Sequence, residues 1–140
     1  MQFKTAIFAT LALFSGVLAQ SVSVSYDQTY DNASASLDTV ACSDGGNGLE
    51  RKGFTTFGSL PDFPYIGGAP AVTGWDSPAC GTCWKLTYEG TSIMVLAIDV
   101  AEDGFNLSLE AMNQLTGGQA EFLGRINASV EQLTSTQCGI

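Results

Sequence analysis

Four cysteines, Cys42, Cys80, Cys83 and Cys138, limit what this 140-residue chain can fold into more than any other feature. Cross-linked in two pairs, they tie the middle of the chain to its end, and the segments between them must pack within those covalent loops. Three pairings satisfy four cysteines. Whether bridges form depends on the compartment, and residues 1–19 point to an oxidising one. Lys4 supplies a positive start, the run from Ala6 to Leu13 is apolar except for Thr10, and Gly16 loosens its end. Val17-Leu18-Ala19 then puts small residues at the −3 and −1 positions of a cleavage site. The pattern predicts a signal peptide over 1–19 and one mature domain over 20–140, secreted and extracellular. A membrane-spanning helix needs roughly 20 apolar residues, and this run is shorter.

The spacing Cys80-Gly81-Thr82-Cys83 also occurs in redox proteins, where the pair sits in a βαβ context. Here Pro78 precedes it and alternating, strand-like sequence follows. A zinc site would be poorly supplied, since the chain has no His and one close cysteine pair. The expectation is two structural disulfides and no metal. Fourteen Asp and Glu against five Lys and Arg give a formal charge of −9, and losing Lys4 with the leader makes the domain more acidic still. Such a surface repels phosphate backbones and anionic headgroups, so neither nucleic acid nor a membrane is an expected partner. A neutral polysaccharide meets no such repulsion.

Sixteen Gly and four Pro mark frequent turns. Ser21 to Tyr26 and Cys83 to Tyr88 alternate polar and apolar residues with the period of half-buried strands. Ile93 to Ile98 is continuously apolar and reads as the centre of a strand, 92–100, covered on both faces. Arg125 to Leu133 reads as a last strand. Ser43 to Gly48 is a loop, Phe54 to Leu60 a short strand or turn, and Pro61 to Pro70 irregular. One helix begins at Ser108, whose hydroxyl can accept a backbone N–H; Leu109, Met112 and Leu115 share its face, and Gly117-Gly118 ends it. A second short helix is expected near Ala33 to Asp38. One or two helices among roughly six short strands predict a mainly β, α+β domain closed into a barrel without exposed edges.

Among the polar residues, Asp99 is the most informative, because it ends the apolar strand. A carboxylate partly desolvated there, near Glu102 and Asp103, could act as a general acid. Equally, it could accept backbone hydrogen bonds and tie the following loop down. Glycoside hydrolysis requires two carboxylates at a defined separation, and fourteen acids make some pairing inevitable. The absence of His excludes His-based triads, and no cofactor motif is present. Trp75, in a loop, could stack on a sugar ring, whereas Trp84 belongs to an alternating strand and is expected in the core. Asn32, Asn106 and Asn127 head candidate glycosylation sequons.

Several segments together resemble the cerato-platanin family of fungal secreted proteins. They are Val22-Ser23-Val24-Ser25-Tyr26-Asp27, Val40-Ala41-Cys42-Ser43, the block Gly74-Trp75-Asp76-Ser77-Pro78-Ala79-Cys80-Gly81-Thr82-Cys83-Trp84-Lys85, the strand end at Asp99, Gly104-Phe105-Asn106 and the late Cys138. The resemblance implies a six-stranded double-psi β-barrel with Cys42–Cys80 and Cys83–Cys138 bridges. It implies binding of chitin or N-acetylglucosamine oligomers, a place in the fungal cell wall, and elicitation of plant defence, with a plant surface receptor as a further partner. Some members loosen cellulose without marked hydrolysis, as expansins do, and some self-assemble at interfaces, so a monomer or weakly associating protein is expected. Asp99 is similar in position to the acid of the expansin and endoglucanase groove, but the His that lines the expansin groove is absent. The expectation is a non-catalytic protein that binds carbohydrate through Asp99, with Asp76, Tyr26 and Asn106 as neighbours.

Overall fold

A computed structural model describes residues 20–140, and the expected signal peptide lies outside the described residues. In chain order the elements are β1 (Gln20–Tyr26), β2 (Ile66–Ala69), β3 (Cys83–Tyr88), β4 (Thr91–Val100), β5 (Phe105–Leu107), α1 (Leu109–Thr116), α2 (Ala120–Leu123) and β6 (Arg125–Leu133). The strands close into a barrel in the order β1-β5-β2-β4-β3-β6, with β6 pairing back onto β1. Closure gives each strand of the barrel a paired neighbour on both sides, although β2 covers only the second half of β4. The pairs β1–β5 and β2–β4 are parallel and the other four antiparallel.

Sequence alternation yields strands where the barrel has one wet face. Val24 in β1 and Cys83 and Leu86 in β3 are buried, while their neighbours are half-buried or exposed. β4 buries Val95, Leu96, Ala97 and Ile98 in succession, as a strand covered on both sides must. Met94 departs from that pattern and is 42% exposed. Trp84 packs against the core as expected, at its margin. It is half-buried, its ring edge-on to Phe105 at 5.8 Å between centroids, and it walls a small cavity with Val22, Pro70 and Val130.

β2 corrects the expectation of an irregular 61–70 segment. Gly-Gly lowers strand propensity, yet close approach requires both glycines here. A Cβ on Gly67 would lie 2.2 Å from the Asn106 carbonyl oxygen, and one on Gly68 would lie 2.8 Å from that of Val100. β2 therefore fits between β5 and β4 only without side chains at these positions. The expected helix near Ala33 to Asp38 is instead a 3-10 turn, Leu37–Thr39, capped by Ser36. The second helix is α2, immediately before β6.

α1 begins as expected, with the Ser108 hydroxyl accepting from the Ala111 N–H at 3.1 Å, and ends on Gly117 at φ 65°. A more distant cap joins it: the Asp31 carboxylate accepts from the Leu109 and Glu110 N–H groups at 2.8 and 3.0 Å. The helix start is thus fastened to the chain that follows β1. The disulfides are Cys42–Cys80 and Cys83–Cys138, and none of the four cysteines is free.

Candidate functional site

The end of β4 delivers Asp99 to the barrel rim, half-buried. Its Oδ1 accepts from the Ala41 N–H at 3.1 Å and the Val100 N–H at 2.9 Å, and its Oδ2 accepts from the Tyr30 hydroxyl at 2.9 Å. Burial, reinforced by the adjacent Asp99 carboxylate, pushes the Tyr30 hydroxyl well above its ordinary range, so it stays a donor. These bonds tie the 30–41 segment to the strand end, whereas the sequence pointed to the loop that follows it.

One residue further on, the chain enters a shallow trough of about 420 Å³. Tyr26 and Asn106 line it, with Glu102, Asp103 and Arg125 at the same opening. Register explains the grouping: β1 and β5 run parallel with Ser25 opposite Asn106, and the Ser25 hydroxyl donates to Asn106 Oδ1 at 3.1 Å. The loop after β4 is fastened to β1, because the Ser23 hydroxyl donates to the Asp103 carbonyl at 2.7 Å and receives a hydrogen bond from Arg125. Gly104 (φ 118°) permits that contact, since a Cβ there would meet the Ser23 carbonyl oxygen at 2.2 Å. The trough thus offers an amide, hydroxyls, two exposed carboxylates and one guanidinium on a fixed frame. That set suits a neutral, hydroxyl-rich ligand, and its volume falls within the roughly 300–1,000 Å³ typical of small-molecule sites.

The four expected carbohydrate-binding residues are therefore divided. Tyr26 and Asn106 share the trough, and Asp99 lies beside it through Val100. Asp76 belongs to a different corner, where its Oδ1 accepts from the Asn47 N–H at 2.8 Å and its carbonyl accepts from the Asn47 side-chain amide at 2.9 Å. Glu102, Asp103 and Arg125 complete the trough; the sequence hinted at the acids through their closeness to Asp99, but nothing local marked Arg125. Among the sequons, Asn32 and Asn127 are exposed, whereas Asn106 is half-buried within the trough. Among the described residues, no three His, Cys, Asp or Glu side chains gather as metal ligands.

Away from the trough, Asp62 has a buried oxygen, Oδ2, without a hydrogen-bond partner, and burial pushes its carboxyl up to about 7. The unfolded value is about 3.9, so the folded state holds the proton more tightly. This contribution is complete below about pH 4 and is lost as pH rises through about 7. Because Asp62 is only half-buried, solvent weakens the effect to about 1 kcal/mol. Asp62→Asn should stabilise the protein by that amount at pH 8 and leave it nearly unchanged at pH 4, measured by urea unfolding. An equal change at both pH values would contradict the assignment.

Comparisons of sequence and of structure with known proteins lead to one family. The cerato-platanin family model matches residues 22–140. A relative from Aspergillus fumigatus, the allergen Asp f 15, is 54% identical over 117 residues, covering 84% of this chain and 76% of the relative. The crystal structure of cerato-platanin 2 from M. perniciosa superposes with a TM-score of 0.83 at 46% identity, covering 86% of this chain and all of that one. The solution structure of the fungal elicitor cerato-platanin gives a TM-score of 0.76 at 42% identity, covering 84% of this chain and 96% of that one.

Proposed function

This chain belongs to the cerato-platanin family, and from that premise we propose that it is a secreted, cell-wall-associated protein that binds chitin-type N-acetylglucosamine oligomers and elicits plant defence. The observation that carries the binding reading is the trough, where Tyr26, Asn106 and Arg125 stand together on strands fixed by register. An acetamido group needs both a donor and an acceptor, and an Asn side chain supplies both. Elicitation follows from likeness to the elicitor named above and calls for a plant surface receptor as partner. The affinity is modest, because an open trough leaves much of a sugar wet.

Binding here is non-hydrolytic. A glycosidase needs one carboxyl to protonate the leaving oxygen and a second across the bond. Asp99 has both oxygens engaged by Tyr30, Ala41 and Val100, and Glu102 and Asp103 are exposed neighbours on one loop. Expansin-like loosening of cellulose proceeds without hydrolysis and is compatible with this arrangement. Self-assembly as a surface coat would have to rest on Trp75, Phe122 and Met94, and singly exposed apolar residues are ordinary.

Retention on insoluble chitin tests the reading. Asn106→Ala should weaken it about tenfold, the equivalent of one lost polar contact, with no reducing sugar released by either protein. Wild-type retention by the variant, or steady sugar release, would overturn it.

A further inference from the structure

Trp75 is 64% exposed, yet it is held in place. Its indole N–H donates to Asp44 Oδ1 at 2.6 Å, across the gap between two loops. Those loops are clasped by the two Asp76–Asn47 hydrogen bonds and stapled behind by Cys42–Cys80. Asp76 adopts a left-handed φ of 57°, uncommon for a residue with a side chain. Its carboxylate fills the space where a Cβ on Gly45 would sit, 2.6 Å from Oδ1. The local backbone is therefore strained and interlocked around a ring that it does not bury. Strain of this kind persists where it serves a site.

Leaving a Trp face in water is unfavourable, and holding it still forgoes rotamer entropy. Both terms turn favourable when a partner covers the ring, because a ring already in position has less freedom left to lose. With its indole N–H bound internally, Trp75 offers a partner its π-face. Asp44 and Asp76 beside it repel anions, so the partner that fits is neutral. The matching chemistry is the apolar C–H face of a neutral pyranose with hydroxyls at its edge.

We propose that Trp75 is a preorganised stacking platform for a neutral β-linked polysaccharide, separate from the trough, with Asp44 as its positioning residue. This rests on the carbohydrate-binding reading above and adds a second contact to it. Asp76, expected from the sequence to touch sugar directly, is assigned to holding the platform loop.

Trp84→Phe leaves Trp75 as the sole tryptophan, and chitin hexamer added to that variant reports on Trp75 directly. The expected result is a blue shift of its emission as water leaves the ring. Trp75→Ala should reduce retention on insoluble chitin about tenfold, while amides around Asn106 still shift with the soluble hexamer. Asp44→Ala, which keeps the ring but frees it, should fall between wild type and Trp75→Ala. Unchanged emission at a hexamer concentration that saturates the Asn106 shifts would overturn the platform and leave the trough standing. Silence at both positions would overturn both readings. Full chitin retention by a folded Trp75→Ala protein would also refute the platform.

Discussion

A Cys83→Ala/Cys138→Ala variant unfolds with about 4 kcal/mol less free energy than the wild type. The bridge spans 55 residues, and closing a loop of that length removes roughly this much entropy from the unfolded chain on the chain-entropy account. Both sulfurs belong to buried residues, so the Ala pair adds a small packing loss of the same sign. Cys138 also anchors the final 3-10 turn, Ser135–Cys138, against β3 and β4. The Cys42–Cys80 loop of 38 residues contributes slightly less to global stability, but it sits behind the Trp75 clasp. Opening it should broaden the Trp75 indole signal, and opening Cys83–Cys138 should not. Urea unfolding and an indole N–H spectrum check both parts; a stability loss below about 1 kcal/mol would contradict the first.

The second large effect is at Asp99. Asp99→Ala strips the acceptors from the Tyr30 hydroxyl and the Ala41 N–H, and Tyr30 is buried. Each unsatisfied donor costs about 1–3 kcal/mol, so the variant should lose about 2–6 kcal/mol. Asp99→Asn keeps the size and an acceptor oxygen for Ala41 and Val100, and should retain most of the stability. The pair of variants separates support from sugar contact. If Asp99 acts mainly by bracing the rim, binding falls in step with stability, and Asn rescues both. A fully stable Asp99→Ala protein that no longer binds oligomers would contradict this and return Asp99 to direct contact.

What the sequence made legible follows from whether the cause was local. β1, β3, β6 and the start of α1 each have it within a few residues: alternation in the strands, a cap hydroxyl at Ser108. β2 does not. Gly67 and Gly68 look like loop residues until the backbones of β5 and β4 arrive beside them. The Asp31 cap on α1 joins residues 78 and 79 positions apart, and no local pattern marks it. The site divides in the same way. The apolar run before Asp99 located the barrel rim, and Tyr26 with Asn106 came from the motifs that carry the family resemblance. Arg125 enters only because β6 closes on β1. Asp76 stands next to Trp75 in the chain, yet its role depends on the approach of Asn47 from 29 residues away.

On the proposed reading, N-acetylglucosamine oligomers occupy the trough between β1, β5 and the loop after β4. Titrating isotopically labelled protein with the tetramer and following every amide tests it most directly. Saturable shifts centred on Tyr26, Glu102 to Asn106 and Arg125 are expected, with millimolar to high-micromolar affinity, as befits a shallow, wet site. Saturable shifts clustered elsewhere on the barrel, with these amides unmoved, would contradict it.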